Sequence, residues 1–369
     1  MKNKSEMKQI KIFWCHPALM DYRKPFFDLV NKKYFLKFYF EQRSKIKSDY
    51  DCIYRKKQNR RLIIDDFRVL YRGIKDSDIF ISSFLGTYLS VIGMIFAKIL
   101  GKKVIIWEEI WFFHKKIKFR VKYFIFKFII KLVDAFFVLG DSQRIALEKL
   151  GADRKKIFVS NEYPGYVYGE IPNKKVNLHL SNNKKIILYI GRFVEVKGLE
   201  YLVEAFSFLE REDKSVVLLI VGYGPLEDKI KKLVSELKIK SIKFLGKISD
   251  IKKKAYLFRK SNLVVVPSIT TDVMAEGGPL VVLEALSAGT PVVGTNALGS
   301  SSNFIYNGIN GFVVPEKNPK ALSEKILRVL KWNEKKTEKR VLDYFYKIKG
   351  HDHQFKQLGR AINFSLQKS

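Results

Sequence analysis

Residues 264–291 read VVVPSITTDVMAEGGPLVVLEALSAGTP, and this stretch decides the fold of the second half of the chain. The β-branched run Val264–Val266 predicts a buried strand. A polar loop follows, and the apolar run Leu280–Leu286 after it is typical of a helix that stops before Gly289. Pro279 suits the first turn of this helix, because its missing N–H would have had no partner there. The pattern therefore predicts a strand, a loop and a helix.

The start of the predicted helix has the properties of an anion site. Gly277 and Gly278 lie there, where free N–H groups and the positive end of the helix dipole attract an anion. Glu276 and Glu284 bracket the segment with seven residues between them. Ionised carboxylates only accept hydrogen bonds, so a ligand with hydroxyls beside its phosphates is indicated. The alternative is that Glu276 is a helix-dipole charge and Glu284 a solvated helix residue.

The segment resembles the E-x7-E stretch of retaining glycosyltransferases with two Rossmann-like domains (the GT-B fold), specifically the "glycosyl transferases group 1" family. Gly278 stands where that family usually has an aromatic residue. The resemblance implies that Glu276 binds a sugar hydroxyl and that Glu284 binds ribose hydroxyls. It also implies a second group of donor-binding residues, namely Gly277, Gly278, Pro279 and Leu280.

A pair of basic residues follows the first predicted strand of the second half. The strand Lys185–Ile190 ends at Gly191 and Arg192, and Lys197 lies five residues beyond Arg192. A guanidinium fork and an ammonium point charge, brought together by a turn, would clasp a diphosphate. In the family that this segment resembles, such an Arg-x4-Lys pair stabilises the departing phosphate. Arg192 and Lys197 are accordingly candidate catalytic residues, with Gly191 a donor contact.

Two further turns are similar to the family's nucleotide-binding turns. Gly222 and Gly224 follow the predicted strand Val216–Val221. Gly246 and Ile248 follow a shorter strand and correspond to the backbone that usually meets the base. A Gly-x-Gly turn is weak support by itself.

Composition and charge limit the class of protein. The chain has 369 residues, enough for about two domains, and 47% are apolar, which is typical of a globular protein. Lys and Arg exceed Asp and Glu to give +32, so an anionic partner is expected. Two cysteines without metal-ligand spacing favour a reducing cytoplasm, and the first residues show no signal-peptide pattern. We expect no metal and no cofactor.

The first half repeats an alternation of strands and helices. Strands are predicted at Ile10–Trp14 and Phe35–Phe40, with a helix from Pro25 between them. The residues before that helix, Tyr22–Lys24, are candidates for the acceptor side of a cleft or simply a basic helix start. Residues 54–61, YRKKQNRR, are interpreted as an exposed basic loop.

The span Ile79–Ala97 carries no charge and has the length of a transmembrane helix. Its serines and Gly86 favour instead a strand at Ile79–Ser82, a helix at Thr87–Leu100 and a strand at Val104–Trp107. This is a βαβ unit of a parallel sheet.

Two acids follow the strand that ends at Trp107. Strand ends of open parallel sheets carry ligand groups, so Glu108 or Glu109 is a candidate to accept the proton of an attacking hydroxyl. Family members often have a histidine in this region, whereas His114 lies several residues later here. An exposed Glu-Glu loop is the alternative.

Residues 115–131, KKIKFRVKYFIFKFIIK, combine seven basic residues with many aromatic and branched ones and contain no acid. Such a helix can lie in a membrane interface with its cations toward anionic headgroups. A core helix with a solvated lysine face is the alternative. We hypothesise peripheral attachment to the inner face of the cell membrane through this helix and residues 54–61.

The domain boundary is expected in a polar segment. Ser142 is predicted to cap a helix at Arg144–Leu150, and residues 165–184, broken by Gly and Pro, are interpreted as the linker. The predicted domains are 1–168 on the acceptor side, 185–345 for the nucleotide sugar, and a helix within 346–369 that crosses back. The fold class expected is α/β, with two Rossmann-like domains facing across a cleft (GT-B).

The sequence thus predicts a retaining, hexosyltransferase-type glycosyltransferase acting in cell-surface polysaccharide or glycolipid synthesis. Its partners would be a UDP-, GDP- or ADP-sugar donor, a glycan or lipid-linked acceptor and an anionic membrane surface. A nucleotide-sugar epimerase of the same architecture and a non-catalytic basic binding protein remain alternatives. Nucleic acid is disfavoured as a partner because the basic residues are dispersed and no recognition motif occurs.

Overall fold

The computed structural model describes residues 9–44, 46, 48–55, 62–109, 117–172, 174–181, 183–272 and 274–367. The chain divides into two compact units, which are described separately. The first unit comprises Met1–Asn161 and Lys349–Ser369, and the second comprises Glu162–Ile348. The predicted linker 165–184 therefore belongs to the second unit, and the C-terminal helix belongs to the first.

The first unit is built on a parallel sheet. Its strands are β1 (Lys11–His16), β2 (Phe35–Phe40), β3 (Asp51–Tyr54), β4 (Ile79–Ser83), β5 (Lys103–Glu108), β6 (Ala135–Val138) and β7 (Ile157–Val159). Its helices are α1 (Lys24–Lys33), α2 (Leu62–Lys75), α3 (Tyr88–Ile99), α4 (Ile117–Ile129), α5 (Asp141–Leu150) and, at the C-terminus of the chain, α12 (His351–Gln367). The strand order is β3-β2-β1-β4-β5-β6-β7.

Helices cover both faces of this sheet. One apolar cluster joins the sheet to α1 and α12, and includes Phe27 and Leu358. The other joins it to α2, α3, α4 and α5, and includes Leu70, Met94 and Phe126. Because both faces are buried, the central strands are apolar throughout, as is usual for parallel sheets. The uncharged span Ile79–Ala97 forms β4 and most of α3, which confirms the predicted βαβ unit.

The second unit repeats this plan. Its strands are β8 (Lys185–Ile190), β9 (Val216–Val221), β10 (Ile242–Gly246), β11 (Leu263–Val266), β12 (Val292–Thr295) and β13 (Gly311–Val314). Its helices are α6 (Leu199–Glu212), α7 (Glu227–Glu236), α8 (Ile251–Lys260), α9 (Val281–Ser287), α10 (Pro319–Leu330) and α11 (Glu334–Phe345). The strands are parallel in the order β10-β9-β8-β11-β12-β13.

Local expectations failed at three places in the first unit. Ser142 does not cap α5, because the helix begins at Asp141 with Gly140 as its N-cap. Of the predicted loop 54–61, Tyr54 ends β3, Arg55 forms an ion pair with Asp66 at 3.0 Å, and residues 56–61 lie outside the described residues. β3 and α2 were not predicted. In the described ranges, no helix is both long enough and apolar enough to span a bilayer.

Candidate functional site

The second unit brings its predicted site residues to one edge of the sheet. β8 and β11 are neighbours, and the connection after β8 runs to β9 on one side whereas the connection after β11 runs to β12 on the other. This is the topological switch point, where open α/β sheets bind ligands outside the carboxyl ends of the strands. Gly191 follows β8, Gly222 follows β9 and Pro267 follows β11. The loops that carry Arg192, Lys197 and Glu276 therefore begin at neighbouring strand ends.

Lys197 and Glu276 form an ion pair in this region. Nζ of Lys197 lies 2.9 Å from Oε1 of Glu276, and the two side chains are 17% and 13% exposed. Gly198 follows with a φ of 60°, and a Cβ there would lie 2.0 Å from the carbonyl oxygen of Pro267. Only glycine fits this left-handed turn against the end of β11. Gly198 thus sets where Lys197 projects.

Arg192 is exposed at the end of β8. Its backbone carbonyl accepts a hydrogen bond from the buried Tyr189 hydroxyl at 3.0 Å. Burial raises the pKa of Tyr189, and the charge of Glu276 raises it further. Within the described part of the chain, the Arg192 guanidinium forms no ion pair. One cation at this edge is thus available to an anionic ligand, whereas Lys197 is shared with Glu276.

The glycine turns fit closely against the Arg192 loop. A Cβ on Gly222 would lie 1.8 Å from the carbonyl oxygen of Gly191, and one on Gly224 would lie 2.5 Å from that of Phe193. The amide of Gly222 donates to the carbonyl of Gly246 at 2.9 Å. The turn after β9 is therefore in contact both with the turn after β8 and with the end of β10. Ile248 is half-buried two residues beyond Gly246.

The loop before α9 departs from the expected geometry. α9 begins at Val281, so Pro279 and Leu280 precede the helix, and Gly277 and Gly278 lie further from its first turn than predicted. The Ser300 hydroxyl donates to the carbonyl of Gly277 at 3.1 Å. A Cβ on Gly278 would lie 2.7 Å from that hydroxyl oxygen. A larger side chain at position 278 would therefore require Ser300 to move.

Glu284 has two contacts that sequence reasoning missed. The Tyr168 hydroxyl donates to Oε1 of Glu284 at 3.0 Å, and Nζ of Lys254 lies 3.6 Å from the same oxygen. Glu284 is therefore not a freely solvated helix residue. Tyr168 lies in the predicted linker and Lys254 on α8, so nothing in their local sequence indicates this meeting.

The acceptor-side candidates occupy the first unit at the end of β5. Glu108 is buried, and its carboxylate accepts hydrogen bonds from the amides of Leu85 at 2.6 Å and Glu109 at 2.9 Å. Glu109 forms an ion pair with Arg23. The Arg23 guanidinium also lies 4.3 Å from the centroid of the Trp107 ring. Glu109 is consequently the more accessible of the two acids, and His114 lies outside the described residues.

His16 ends β1 next to this region. Burial lowers the pKa of His16 well below its ordinary value, and the positive charge of Arg23 lowers it further. The ring packs on Phe27, Phe40 and Trp107, so the neutral form is the one this site accommodates. Its Nδ1 lies 2.9 Å from the carbonyl oxygen of Ala18.

No cluster of His, Cys, Asp and Glu capable of holding a metal occurs among the residues that the structure describes. A cavity of about 270 Å³ in the second unit is lined by Asn262 and Pro291, which precede β11 and β12. It lies at the amino ends of the strands, opposite Arg192 and Lys197.

Comparison with known proteins agrees with this geometry. Residues 170–344 match the model of the family Glycosyl transferases group 1. An uncharacterised glycosyltransferase (MJ1607) of Methanocaldococcus jannaschii is 34% identical over 161 residues, which cover 43% of this chain and 39% of that protein. The amylovoran biosynthesis glycosyltransferase AmsK of Erwinia amylovora is 30% identical over 39% of this chain and 35% of its own. The matched region thus spans less than half of these relatives.

Solved structures resemble the chain over nearly its full length. A glycosyltransferase of Rickettsia africae has a TM-score of 0.73 at 19% identity, covering 98% of this chain and 100% of its own. Anabaena Alr3699/HepE, solved with UDP, has a TM-score of 0.74 at 15% identity, covering 96% and 100%. At such identities the likeness establishes the fold, and the predicted pair of Rossmann-like α/β domains is confirmed as that of GT-B glycosyltransferases. Over residues 170–344 the chain is therefore similar to the Glycosyl transferases group 1 family.

Proposed function

We propose that this protein is a retaining glycosyltransferase that moves a hexose from a nucleoside-diphosphate sugar to a glycan or lipid-linked acceptor. The observation that carries the proposal is the arrangement at the switch point of the second sheet. The Arg192 guanidinium, which has no ion-pair partner among the described residues, lies on the loop after β8. The Lys197–Glu276 ion pair joins that loop to the loop after β11. This set suits a ligand that carries both phosphates and hydroxyls.

The donor's diphosphate would bind Arg192 and Lys197. Both cations would stabilise the negative charge that grows on the leaving diphosphate, and such electrostatic stabilisation usually contributes most to catalysis of this kind. Glu276 would accept a hydrogen bond from a sugar hydroxyl. Lys197 would offset the charge of Glu276 and so reduce the repulsion between its carboxylate and the donor's diphosphate. A divalent cation is not needed in this scheme, since two fixed cations supply the charge.

Nucleotide recognition would use the remaining donor residues. Glu284 would accept hydrogen bonds from the ribose hydroxyls. The backbone at Gly246 and Ile248 would meet the base, and the turn at Gly222 and Gly224 would lie beneath the nucleotide. The complexes of Anabaena HepE with UDP-glucose have the same fold at 15% identity, which makes a nucleotide sugar a reasonable first probe.

The acceptor would bind the first unit near Glu109. Its carboxylate already holds Arg23, and a positioned carboxylate can accept a proton from an attacking hydroxyl. In a retaining reaction the departing phosphate can serve as the base, and Glu109 would then orient the acceptor. Glu108 has its carboxylate engaged by backbone amides, which favours a structural role for it.

Peripheral contact with the inner face of the cell membrane is part of the proposal. On α4, Phe124 and Phe128 are 62% and 56% exposed, and Lys127 is exposed between them. Exposed aromatics beside cations suit the interface of an anionic membrane. In a low-salt flotation assay with anionic vesicles, Phe124→Ser with Phe128→Ser should reduce binding. Equal binding by wild type and variant would contradict this contact.

Product analysis tests the proposed reaction. The protein is incubated with UDP-, GDP- and ADP-sugars, with and without a glycan or lipid-linked acceptor. A transferase releases nucleoside diphosphate in an acceptor-dependent manner and forms a linkage with the donor's anomeric configuration. Acceptor-independent conversion of one nucleotide sugar into its epimer would instead identify an epimerase, and inversion of configuration would refute retention.

A further inference from the structure

We propose that Tyr168 and Lys254 are positioning residues that prepare Glu284 to bind the hydroxyls of a ribose in a nucleoside diphosphate. The inference rests on the proposed function, since it names how the donor site selects its ligand. Tyr168 reaches the site from a part of the chain that the sequence predicted to be a polar linker. Neither side chain belongs to the motifs that indicated the donor site.

Both contacts converge on one carboxylate oxygen. Oε1 of Glu284 accepts the Tyr168 hydroxyl at 3.0 Å and lies 3.6 Å from Nζ of Lys254. The ammonium also lies 5.3 Å from the centroid of the Tyr168 ring, within the range of a cation–π contact. The three side chains thus form a closed set. With Oε1 engaged, Oε2 would bind a ligand hydroxyl.

Tyr168 is held rigidly by the backbone around α9. Its amide donates to the Ser287 hydroxyl at 3.0 Å, and the next amide, that of Gly169, donates to the Ser287 carbonyl at 2.9 Å. The Ser287 hydroxyl in turn donates to the carbonyl of Glu284 at 2.7 Å. The Arg259 guanidinium donates to the carbonyl of Gly169 at 2.7 Å. Tyr168 is 1% exposed, so its hydroxyl has little freedom to turn away from Glu284.

Lys254 places a positive charge next to the Glu284 carboxylate. A nucleoside diphosphate is an anion, and an uncompensated Glu284 carboxylate would repel it. Glu284 is 17% exposed and Lys254 23%, so their interaction is only partly screened by water. The arrangement repeats that of Glu276, which has Lys197 as its partner. Each acid of the E-x7-E segment is therefore paired with one lysine from a different loop or helix.

The geometry predicts a specific dependence on the ribose hydroxyls. Orientation of Glu284 by Tyr168 should make the hydrogen bonds to these hydroxyls stronger, so removing a hydroxyl should cost more affinity in the wild type than in Tyr168→Phe. A residue that only stabilises the fold would weaken all nucleotides equally. Lys254 should act through charge, so its removal should weaken every nucleoside diphosphate, but only while Glu284 is ionised.

Calorimetric titration of the full chain tests this inference. The probes are UDP, 2′-deoxy-UDP and 3′-deoxy-UDP, with the corresponding guanine and adenine series in parallel. Wild type should bind the ribonucleotide of one series at least roughly tenfold more tightly than one of its deoxy analogues, because the analogue lacks a hydrogen bond to the charged Glu284 carboxylate. Tyr168→Phe should reduce that ratio to about threefold or less, while Tyr306→Phe, an exposed tyrosine of the same unit, should leave it unchanged.

A double-mutant cycle tests the role of Lys254. Lys254→Met should weaken the ribonucleotide several-fold in the wild type and have no effect in Glu284→Gln, where the charge is already absent. An equal effect in both backgrounds would overturn the role of Lys254, and an unchanged ribose ratio in Tyr168→Phe would overturn that of Tyr168. If wild type binds nucleotides and the variants behave like it, only this inference fails. If wild type binds no nucleoside diphosphate, the proposed function fails with it.

Discussion

Lys197 and Glu276 are joined by an ion pair of 2.9 Å between the loops that follow β8 and β11, the two strands at the switch point of the second sheet. Lys197 is thus paired with Glu276, whereas the neighbouring Arg192 guanidinium forms no ion pair with a carboxylate among the described residues. The site is consequently attractive to a diphosphate and still offers an acceptor for a sugar hydroxyl. The first prediction follows from this charge balance.

Removing either cation should impair catalysis. Arg192→Ala and Lys197→Ala should each lower turnover at least roughly tenfold, because in the proposed reaction each removes a charge that would stabilise the leaving diphosphate. Steady-state rates with the identified donor measure this. Lys231→Ala removes an exposed lysine of α7 whose ion pair is with Glu227, and it is the matched control. Near-normal turnover in both variants would eliminate the assigned donor site.

The turn at Gly198 should be sensitive to a single methyl group. A Cβ there would meet the Pro267 carbonyl oxygen at 2.0 Å, whereas Gly308, with a φ of 79°, has open space around it. Gly198→Ala should lower the free energy of unfolding by more than Gly308→Ala, whose cost is the backbone strain alone, about 1–3 kcal/mol. Denaturant titration of both variants measures the difference. Equal costs would show that the contact with Pro267 relaxes freely.

Buried His16 should make stability fall in mild acid. Its pKa is lowered in the folded protein and is about 6.5 when unfolded, so the unfolded chain binds the extra proton first. The free energy of unfolding is therefore unaffected by His16 above pH 6.5 and falls as the pH drops below that value, by up to about 2 kcal/mol at pH 5. His16→Gln should flatten the change in unfolding free energy between pH 7 and 5. The exposed His179→Gln should not, and an unchanged slope in His16→Gln would refute this account.

Substitutions of Glu108 and Glu109 should have different effects on stability and on catalysis. Glu108→Gln replaces a buried carboxylate that accepts the amides of Leu85 and Glu109, so it should chiefly lower stability, by about 1–3 kcal/mol. Glu109→Gln should chiefly raise the acceptor KM or lower turnover. Thermal denaturation and acceptor-dependent kinetics of both variants distinguish the roles. A large loss of turnover with normal stability in Glu108→Gln would reverse the assignment.

Much of the candidate site could be predicted because its residues have recognisable positions in the local sequence. Glycines and charged residues at the ends of apolar strands stand out from the alternation of strands and helices, and Arg192, Lys197 and Glu276 were found in this way. Lys197 and Glu276 then proved to be in contact. The precise start of α9 was missed, because Pro279 suits the loop before a helix as well as its first turn.

The missed residues depend on contacts distant in sequence. Tyr168 lies 116 residues from Glu284, in a segment whose glycines and prolines suggested only a linker. The segment has no periodic pattern of apolar residues from which its contact with α9 could be predicted. β3 and α2 were also missed, because the basic run 54–61 adjoins both elements and suggested only an exposed loop. Ser142 was a plausible cap by residue type, but the helix begins one residue before it.

The most direct test of the central claim is thermal denaturation of the full chain with UDP, GDP and ADP and their common sugars. A ligand present at about 100 times its dissociation constant adds about 2.7 kcal/mol to the free energy of unfolding, which raises Tm by a few degrees. The account predicts such a shift with one nucleotide series and its loss in Glu284→Ala and Arg192→Ala. No shift with any nucleotide in the wild type, or a shift that both variants retain, would contradict the assignment of the donor site.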